Sequence, residues 1–234
     1  MNTKIRSSQR EIMDDFELQG KELKKTLEDL DKVNKWLGGN KVTLEGVEKV
    51  LKSACYAQPV SIMDVGCGNG SLLKEVAEYG RKNGIKMRLL GIDANHHAVE
   101  LARKNTIDFP EITFQALDIF SEQFRAQKVD LILCNLTLHH FTDAEIKQIL
   151  RNFVKNAMMG IVINDLHRTR IAYYLFKAFC TVFIDNEIAR KDGLTSILRS
   201  FKKKDLIEYG RDLNVRDQMI TWKWAFRYQW ILLK

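Results

Sequence analysis

The sequence predicts an α/β protein with a parallel β-sheet that is covered by helices on both faces. Between residues 60 and 163, short apolar runs alternate with helix-period segments, and the connections between them are short. The first 55 residues carry helical patterning and no strand signal. Near the end of the chain, aromatic residues fall on every second position, which is typical of a strand. A helical cap is therefore expected to precede the sheet, and a hairpin to close it at one edge.

Composition narrows the class of protein. The 234 residues suit one α/β domain with an added lid. A chain with 45% hydrophobic and 29% charged residues is not wholly disordered. The net charge of +7 is not concentrated in a basic tail of the kind that wraps nucleic acid.

The sequence favours a cytoplasmic protein without a membrane span. The N-terminus has no apolar region of the signal-peptide kind, and the most apolar stretch, 171–184, is too short to cross a bilayer. The cysteines have no CxxC spacing, so we expect reduced thiols and neither disulfides nor a zinc site.

The first 55 residues are expected to form a helical cap or lid on a domain that spans residues 56–234, as one compact unit. Ser8 and Glu11 have capping-box spacing, and Gly20 is expected to end the first helix. A second helix is expected from residue 21 to residue 37, and a third soon after it.

The larger domain begins with the alternating segments. Strands are predicted at residues 60–65, 87–92, 112–116, 129–134 and 160–163. Asn95 and Thr142 are expected to begin the helices that follow the second and fourth strands.

An aromatic helix is expected next, at about 166–184, where core packing is favoured over lining of a substrate pocket. A helix after Ser200 then leads into a closing hairpin within 213–233. The half-exposed strand of this hairpin is expected to turn three side chains toward solvent: Lys223, Arg227 and Gln229.

A glycine-rich turn ends the first strand, directly before a helix. Asp64 precedes Gly66, Gly68 and Gly70, so the spacing is GxGxG, whereas a dinucleotide-binding turn has GxGxxG. Because a carboxylate repels a pyrophosphate, this turn favours a ligand that carries positive charge.

S-adenosyl-L-methionine is such a ligand, since it carries a sulfonium and an ammonium and no phosphate. Acids that follow neighbouring parallel strands converge at the carboxyl edge of the sheet. Asp64 supplies negative charge to the ammonium, and Asp93 offers two acceptor oxygens to the ribose hydroxyls. Asp118 follows the third strand, where it can accept from the adenine amine. We therefore predict S-adenosyl-L-methionine as the cofactor.

With these motifs in order, residues 60–163 resemble the class I S-adenosylmethionine-dependent methyltransferases, in their small-molecule (ubiquinone/menaquinone-type) branch. The resemblance implies a Rossmann-like seven-stranded sheet, mostly parallel, with an antiparallel C-terminal strand. It also implies the cofactor-binding residues, which are Asp64, Gly66, Cys67, Gly68 and Gly70, then Asp93 and Ala94, then Asp118 and Ile119, and finally Asn135 and Leu136.

Three histidines follow the fourth and fifth strands and are candidates for a general base. A histidine titrates at about pH 6.5, which suits removal of a proton from a phenol or another hydroxyl. For His140 this role and a structural role are equally favoured, whereas for His139 the structural role is favoured. His167 is the third candidate. No His, Cys or Asp grouping has metal-ligand spacing, so we predict no metal.

The predicted function is methyl transfer to a small, largely apolar acceptor such as a phenol, a quinol or a polyketide- or lipid-like aromatic. The histidines favour O-methylation. C-methylation of a ring, methylation of tRNA or rRNA, and a catalytically silent cofactor-binding subunit are the alternatives. The segment after the fourth strand lacks the Asn/Asp-Pro-Pro-Tyr motif of adenine-N6 and glutamine-N5 methyltransferases, which argues against those activities. Nucleic acid is not the expected partner, and both a monomer and a homodimer are open.

We expect Asp93→Ala to weaken binding of S-adenosylmethionine by about 1.5–3 kcal/mol, because the ribose loses hydrogen bonds to a charged group. Isothermal titration calorimetry of the two proteins measures the difference. An unchanged affinity contradicts the assignment of Asp93 to the ribose.

Overall fold

The computed structural model describes residues 2–53 and 55–234 and contains a seven-stranded sheet of order β3-β2-β1-β4-β5-β7-β6. The strands are β1 (Val60–Val65), β2 (Met87–Asp93), β3 (Ile112–Ala116), β4 (Val129–Asn135), β5 (Ala157–Leu166), β6 (Asp217–Lys223) and β7 (Arg227–Leu233). The helices are α1 (Gly20–Trp36), α2 (Gly39–Ser53), α3 (Ser71–Lys82), α4 (His96–Asn105), α5 (Glu122–Arg125), α6 (Asp143–Asn156), α7 (Arg170–Phe183), α8 (Glu187–Arg199) and α9 (Lys203–Gly210).

The directions of the strands confirm the predicted Rossmann-like sheet. β1 to β5 pair in parallel, whereas β7 pairs antiparallel with both β5 and β6. The chain winds from β1 outward to β3 and then returns to the other side of β1 for β4. A switch point therefore lies between β1 and β4, where the crevice at the carboxyl ends of the strands accepts ligands.

Each face of the sheet carries its own apolar core. On one face, Phe153 of α6 and Leu206 of α9 pack with Trp230 of β7. On the other face, Val47 of α2 and Leu73 of α3 belong to the second core. Because the central strands are buried on both faces, their sequences are continuous apolar runs and not alternating ones.

The N-terminal segment differs from the sequence prediction. It contains a short 3-10 turn (Ile12–Asp14) in place of the first predicted helix, and Gly20 begins α1 at φ +68° where it was expected to end a helix. Glu11 pairs with Asp14 across that turn, so Ser8 does not form the predicted capping box. Backbone N–H groups of the turn donate to the carboxylate of Asp192 on α8, so tertiary contacts satisfy groups that a helix would otherwise pair.

The region after β5 also differs. β5 continues to Leu166, so the aromatic helix α7 begins only at Arg170, with Thr169 as its N-cap. The sequence pattern does not predict α8, because this helix buries polar residues such as Asp192 and Arg199 and lacks a simple apolar stripe.

The aromatic helix is not a core helix. Ile171, Tyr174, Leu175 and Val182 are all more than half exposed, so the core packing favoured for α7 is wrong for this face. No helix in the described part of the chain combines the length and apolar character needed to cross a membrane.

The closing hairpin is confirmed, but its expected solvent side is only partly correct. Every residue of β7 is buried, Arg227 and Gln229 included, because α2 covers this face of the strand. Lys49 of α2 donates a hydrogen bond of 3.0 Å to Gln229, which in turn donates to the carbonyl of Val42.

We expect Gly46→Ala to lower the free energy of unfolding by about 1–3 kcal/mol, the usual cost of overpacking. A Cβ at Gly46 would lie 2.5 Å from Cγ1 of Val162, whose β-branched side chain is stiff at χ1. Urea unfolding measures the loss. Lys41→Ala, at an exposed position of the same helix, is the control. Equal stability of Gly46→Ala and the parent protein contradicts the close approach of α2 to β5.

Candidate active site

A cavity of about 1460 Å³ opens at the carboxyl ends of β1, β2 and β4. Its walls come from the N-terminal segment, α1, the loops that follow the strands, α7, α8 and the turn between β6 and β7. The predicted cofactor residues, apart from Gly70, and two of the three candidate histidines therefore line one cavity.

The glycine-rich turn forms the floor of this cavity. Gly66 (φ +74°) and Gly68 (φ +51°) both adopt the left-handed conformation that favours glycine. A Cβ at Gly66 would lie 2.3 Å from Oγ1 of Thr137, so no larger residue fits without movement. Cys67 also lines the cavity; its side chain belongs to the core, and burial raises the pKa of the thiol. Gly70 does not line the cavity and instead caps α3.

Asp64 provides a buried negative group beside the turn. Its side chain is 2% exposed, and Oδ1 has no hydrogen-bond partner within the described residues. Burial, and then the neighbouring charge of Asp93, raise the pKa of Asp64 well above its usual range. A cation placed against Oδ1 would offset both effects, so Asp64 fits the ammonium group of S-adenosylmethionine.

Asp93 is held in a fixed orientation at the end of β2. Its two carboxylate oxygens accept hydrogen bonds from the N–H groups of Gly68 and Asn95, each at 3.0 Å. Asn95 also caps α4, as predicted, by accepting from two N–H groups of the first turn. Burial raises the pKa of Asp93. A second, half-buried acid thus lies beside Asp64 at the switch point.

The remaining predicted cofactor residues extend the same wall. Ala94 and Asp118 are exposed in the cavity, and Ile119 is buried beneath it. Asn135 and Leu136 follow β4, where Leu136 takes a left-handed φ of +53° and donates a hydrogen bond of 2.8 Å to Asn164. Their roles toward the cofactor stay predictions, but the structure brings them together.

His140 is paired with an acid that the sequence analysis did not assign. Nδ1 of His140 lies 2.6 Å from Oδ1 of Asp14, in the N-terminal segment. Arg199 of α8 donates a 2.6 Å hydrogen bond to the other oxygen of Asp14. Burial alone would raise the pKa of Asp14, but the hydrogen bonds from His140 and Arg199 outweigh it and hold the pKa well below its usual range. Asp14 is therefore ionised and orients the imidazole of His140.

His139 occupies a deeper position. Its Nδ1 lies 2.7 Å from Asp165, and its ring stacks on His140 with 4.3 Å between centroids. Its Nε2 lies 3.6 Å from Oε1 of Glu11, and neither atom has a hydrogen-bond partner among residues 2–53 and 55–234. Burial raises the pKa of Glu11 to about 7. These contacts agree with the structural role favoured for His139.

One group of side chains has the proximity that metal binding requires. Ligand atoms of Glu11, His139 and His140 lie within 4.8 Å of one another. Local spacing does not reveal the group, because Glu11 is far from the histidines in sequence. Nε of Arg199 lies 3.8 Å from the same Glu11 oxygen and already supplies a positive charge there.

His167 is not brought to the cavity with the other two histidines. Its Nδ1 accepts a 3.2 Å hydrogen bond from Trp222, and its ring packs on Tyr228. Burial, and then the charges of Lys202 and Arg168, lower its pKa. Arg168, the residue after His167, is buried and paired with Asp205 at 2.9 Å.

The sequence analysis did not identify the other residues that contact His139, His140 and their loop, because these residues are distant from the histidines in sequence. Arg6 donates to the carbonyls of His139 and Phe141, at 3.1 and 2.9 Å, and so ties the N-terminal segment to the histidine loop. Asp165 lies near the end of β5, as Asp64 and Asp93 lie near the ends of β1 and β2. An acid at the end of a strand was therefore the sequence signal that could have identified Asp165.

Part of the cavity lining is apolar. Leu175, Phe176 and Phe179 of α7, Leu30 of α1 and Phe226 of the β6–β7 turn line the cavity, and Leu30, Phe176 and Phe179 pack against one small apolar cluster. This part suits an apolar acceptor and shows that α7 lines the pocket, the alternative to core packing.

The sheet order, the glycine-rich turn and the acids at the ends of three strands define a methyltransferase of Rossmann-like fold. Residues 58–191 match the family described as methyltransferase domain. The chain belongs to this family and is a methyltransferase.

Two curated relatives match part of the chain. An uncharacterized 37.1 kDa protein in transposon Tn4556 of Streptomyces fradiae is 30% identical over 110 residues, covering 44% of this chain and 31% of that protein. The ubiquinone biosynthesis O-methyltransferase of Pasteurella multocida (strain Pm70) is 30% identical over 93 residues, covering 35% of this chain and 36% of that enzyme. The matches thus span about a third of the length of each relative.

Solved structures share the fold. The plantazolicin methyltransferase BpumL in complex with a monoazolic desmethylPZN analog and SAH has a TM-score of 0.65 at 16% identity, covering 91% of this chain and 95% of that one. The magnesium protoporphyrin IX methyltransferase (ChlM) from Synechocystis PCC 6803 with bound SAM has a TM-score of 0.55 at 13% identity, covering 84% of this chain and 80% of that one.

We expect Glu11→Gln to be more stable relative to the parent protein at pH 8 than at pH 5, by about 2–3 kcal/mol. The pKa of Glu11 is raised to about 7 in the folded state, so the folded protein binds a proton there more tightly than the unfolded chain does. This tighter proton binding stabilises the folded state at low pH. That contribution is lost as pH rises to 7 and the buried carboxyl must ionise. Glutamine does not ionise, so the variant avoids the loss.

Urea unfolding of both proteins at the two pH values measures the difference. Glu17→Gln, at an exposed position of the same segment, is the control and should show no pH-dependent difference. A Glu11→Gln protein that follows the parent at both pH values contradicts a raised pKa of Glu11.

Proposed function

We propose that this methyltransferase transfers a methyl group from S-adenosyl-L-methionine to a hydroxyl of a small, largely apolar acceptor such as a phenol or a quinol. The observation that carries the proposal is one cavity that joins the unpartnered carboxylate of Asp64 to the Asp14–His140 pair. The similarity to a ubiquinone biosynthesis O-methyltransferase supports oxygen as the acceptor atom and the ubiquinone/menaquinone-type branch.

The cofactor would be held by the acids of the glycine-turn end of the cavity. Asp64 would bind the ammonium, Asp93 the ribose, and Asp118 the adenine amine. When bound there, S-adenosylmethionine supplies an electrophilic methyl group. The SAH and SAM complexes of the similar structures support this choice of cofactor.

His140 would act as the general base. Because the ionised Asp14 accepts a hydrogen bond from Nδ1–H, the lone pair of Nε2 is left free. The proton of the acceptor hydroxyl passes to Nε2, and the oxygen gains the negative charge that makes it nucleophilic. Arg199 keeps Asp14 ionised, while His139 supports the ring of His140 from behind.

The N-terminal segment would serve as a lid that completes the site. It supplies Glu11 and Asp14, and it forms one wall of the cavity together with α1. Closure of this segment would exclude water from the reacting atoms and fix the base at the same time. We propose on this basis that residues 1–55 act as a lid on the domain 56–234.

We expect His140→Ala to lower turnover about 10²-fold or more, the usual contribution of a general base. The assay uses radiolabelled S-adenosylmethionine with a panel of phenols and quinols, and with total tRNA as a separate arm. Binding of S-adenosylhomocysteine should be unchanged, because His140 is not placed among the cofactor residues.

His96→Ala is the matched control, since His96 is an exposed histidine at the start of α4. Full turnover by His140→Ala contradicts its role as base. Transfer to tRNA and to none of the phenols contradicts the small-molecule acceptor, and a methyl group found on a ring carbon contradicts O-methylation.

A further inference from the structure

The cavity also contains a buried cation that the proposed reaction does not use. Arg227, the first residue of β7, is 2% exposed and lines the cavity. Its Nε and Nη1 atoms have no hydrogen-bond partner within the described residues. Isolated buried charges cost several kcal/mol unless they are paired, so a guanidinium in this state requires an anion.

Within the part of the chain that the structure describes, no carboxylate accepts a hydrogen bond from Nε or Nη1 of Arg227. Asp165 is the carboxylate whose charge acts on Arg227, but it is already engaged by His139 at 2.7 Å. Nearby, Asn34 and the backbone of Gly39 pack around the guanidinium, and both are neutral. Burial lowers the pKa of Arg227 to about 10, so the side chain remains charged at neutral pH.

The position of Arg227 is fixed by the turn that precedes it. Phe226 adopts a left-handed φ of +52°, a conformation that costs energy in a bulky residue and that persists only where its surroundings impose it. The N–H of His167 donates a 2.8 Å hydrogen bond to the carbonyl of Phe226 and so ties the turn to the end of β5. Such strain is concentrated at ligand-binding positions.

We propose that Arg227 binds a carboxylate group of the methyl acceptor. This inference rests on the proposed function, because it concerns the acceptor of that same reaction. The acceptor would then be an amphipathic molecule with an apolar body, a hydroxyl for His140 and a carboxylate for Arg227.

The chemistry of the site favours a carboxylate over a phosphate. The planar guanidinium matches the two oxygens of a carboxylate with two parallel hydrogen bonds. A phosphate dianion would call for more than one cation, and Arg227 is the cation that faces Asn34 and Gly39 here.

The test compares a carboxylate probe with its neutral isostere. Calorimetry measures binding of 4-pentylbenzoate and of 4-pentylbenzamide to the 234-residue protein, both in the presence of S-adenosylhomocysteine. For the parent protein, we expect the benzoate to bind at least tenfold more tightly than the benzamide. Arg227→Met should abolish this preference, and Arg227→Lys should retain part of it.

Two further measurements separate this proposal from others. Arg170→Met, at the exposed start of α7, is the matched control and should leave the preference unchanged. The melting temperature of ligand-free Arg227→Met should not fall, because methionine replaces an unpaired charge with an apolar side chain of similar length.

Several outcomes overturn the proposal. They are equal binding of the two probes to the parent protein, tighter binding of pentyl phosphate than of the benzoate, and a loss of stability in ligand-free Arg227→Met. Weaker binding of S-adenosylhomocysteine to Arg227→Met also overturns it, since Arg227 would then hold the cofactor. Absence of S-adenosylhomocysteine binding to the parent protein is distinct, because it contradicts the proposed function itself.

Discussion

The buried carboxylate of Asp64 is the constraint around which the cavity is arranged. It lies at the switch point between the parallel strands β1 and β4. There the order in which the chain adds strands to the sheet reverses direction, which leaves a crevice at the carboxyl ends of the strands. Oδ1 of Asp64 has no hydrogen-bond partner among the residues that the structure describes, and burial together with Asp93 makes its ionised form unfavourable. A cationic ligand relieves both effects, and the left-handed glycines beside Asp64 let that ligand approach the backbone. The sheet order, the turn and the charge therefore point to the same kind of cofactor.

The second organising feature is the contact between the N-terminal segment and the histidine loop. Asp14 orients His140, and Arg6 binds the carbonyls of the same loop. These contacts explain why the segment is held by tertiary hydrogen bonds and does not form the predicted helix. They also mean that the Asp14–His140 pair forms only when the segment lies against the domain, so the proposed base depends on the proposed lid.

The sequence predicted the local features of the molecule well. Strands, caps such as Asn95, and the acids at strand ends follow from short patterns that each element imposes on its own residues. The partners of the histidines did not follow, because Glu11 and Asp14 lie more than 120 residues before them and only the folded chain brings them together. Arg227 was expected to face solvent, since alternation indicates a half-exposed strand, but α2 covers the second face of β7. A pattern within one strand carries no information about which helix will lie on it.

The acids at the ends of the strands would bind S-adenosylmethionine in the cavity. Isothermal titration of the protein with S-adenosylhomocysteine tests this binding. We expect a single site with a dissociation constant in the micromolar range, about −8 kcal/mol of binding free energy. No heat of binding at millimolar ligand would contradict it, and the unpartnered carboxylate of Asp64 would then require a different cation.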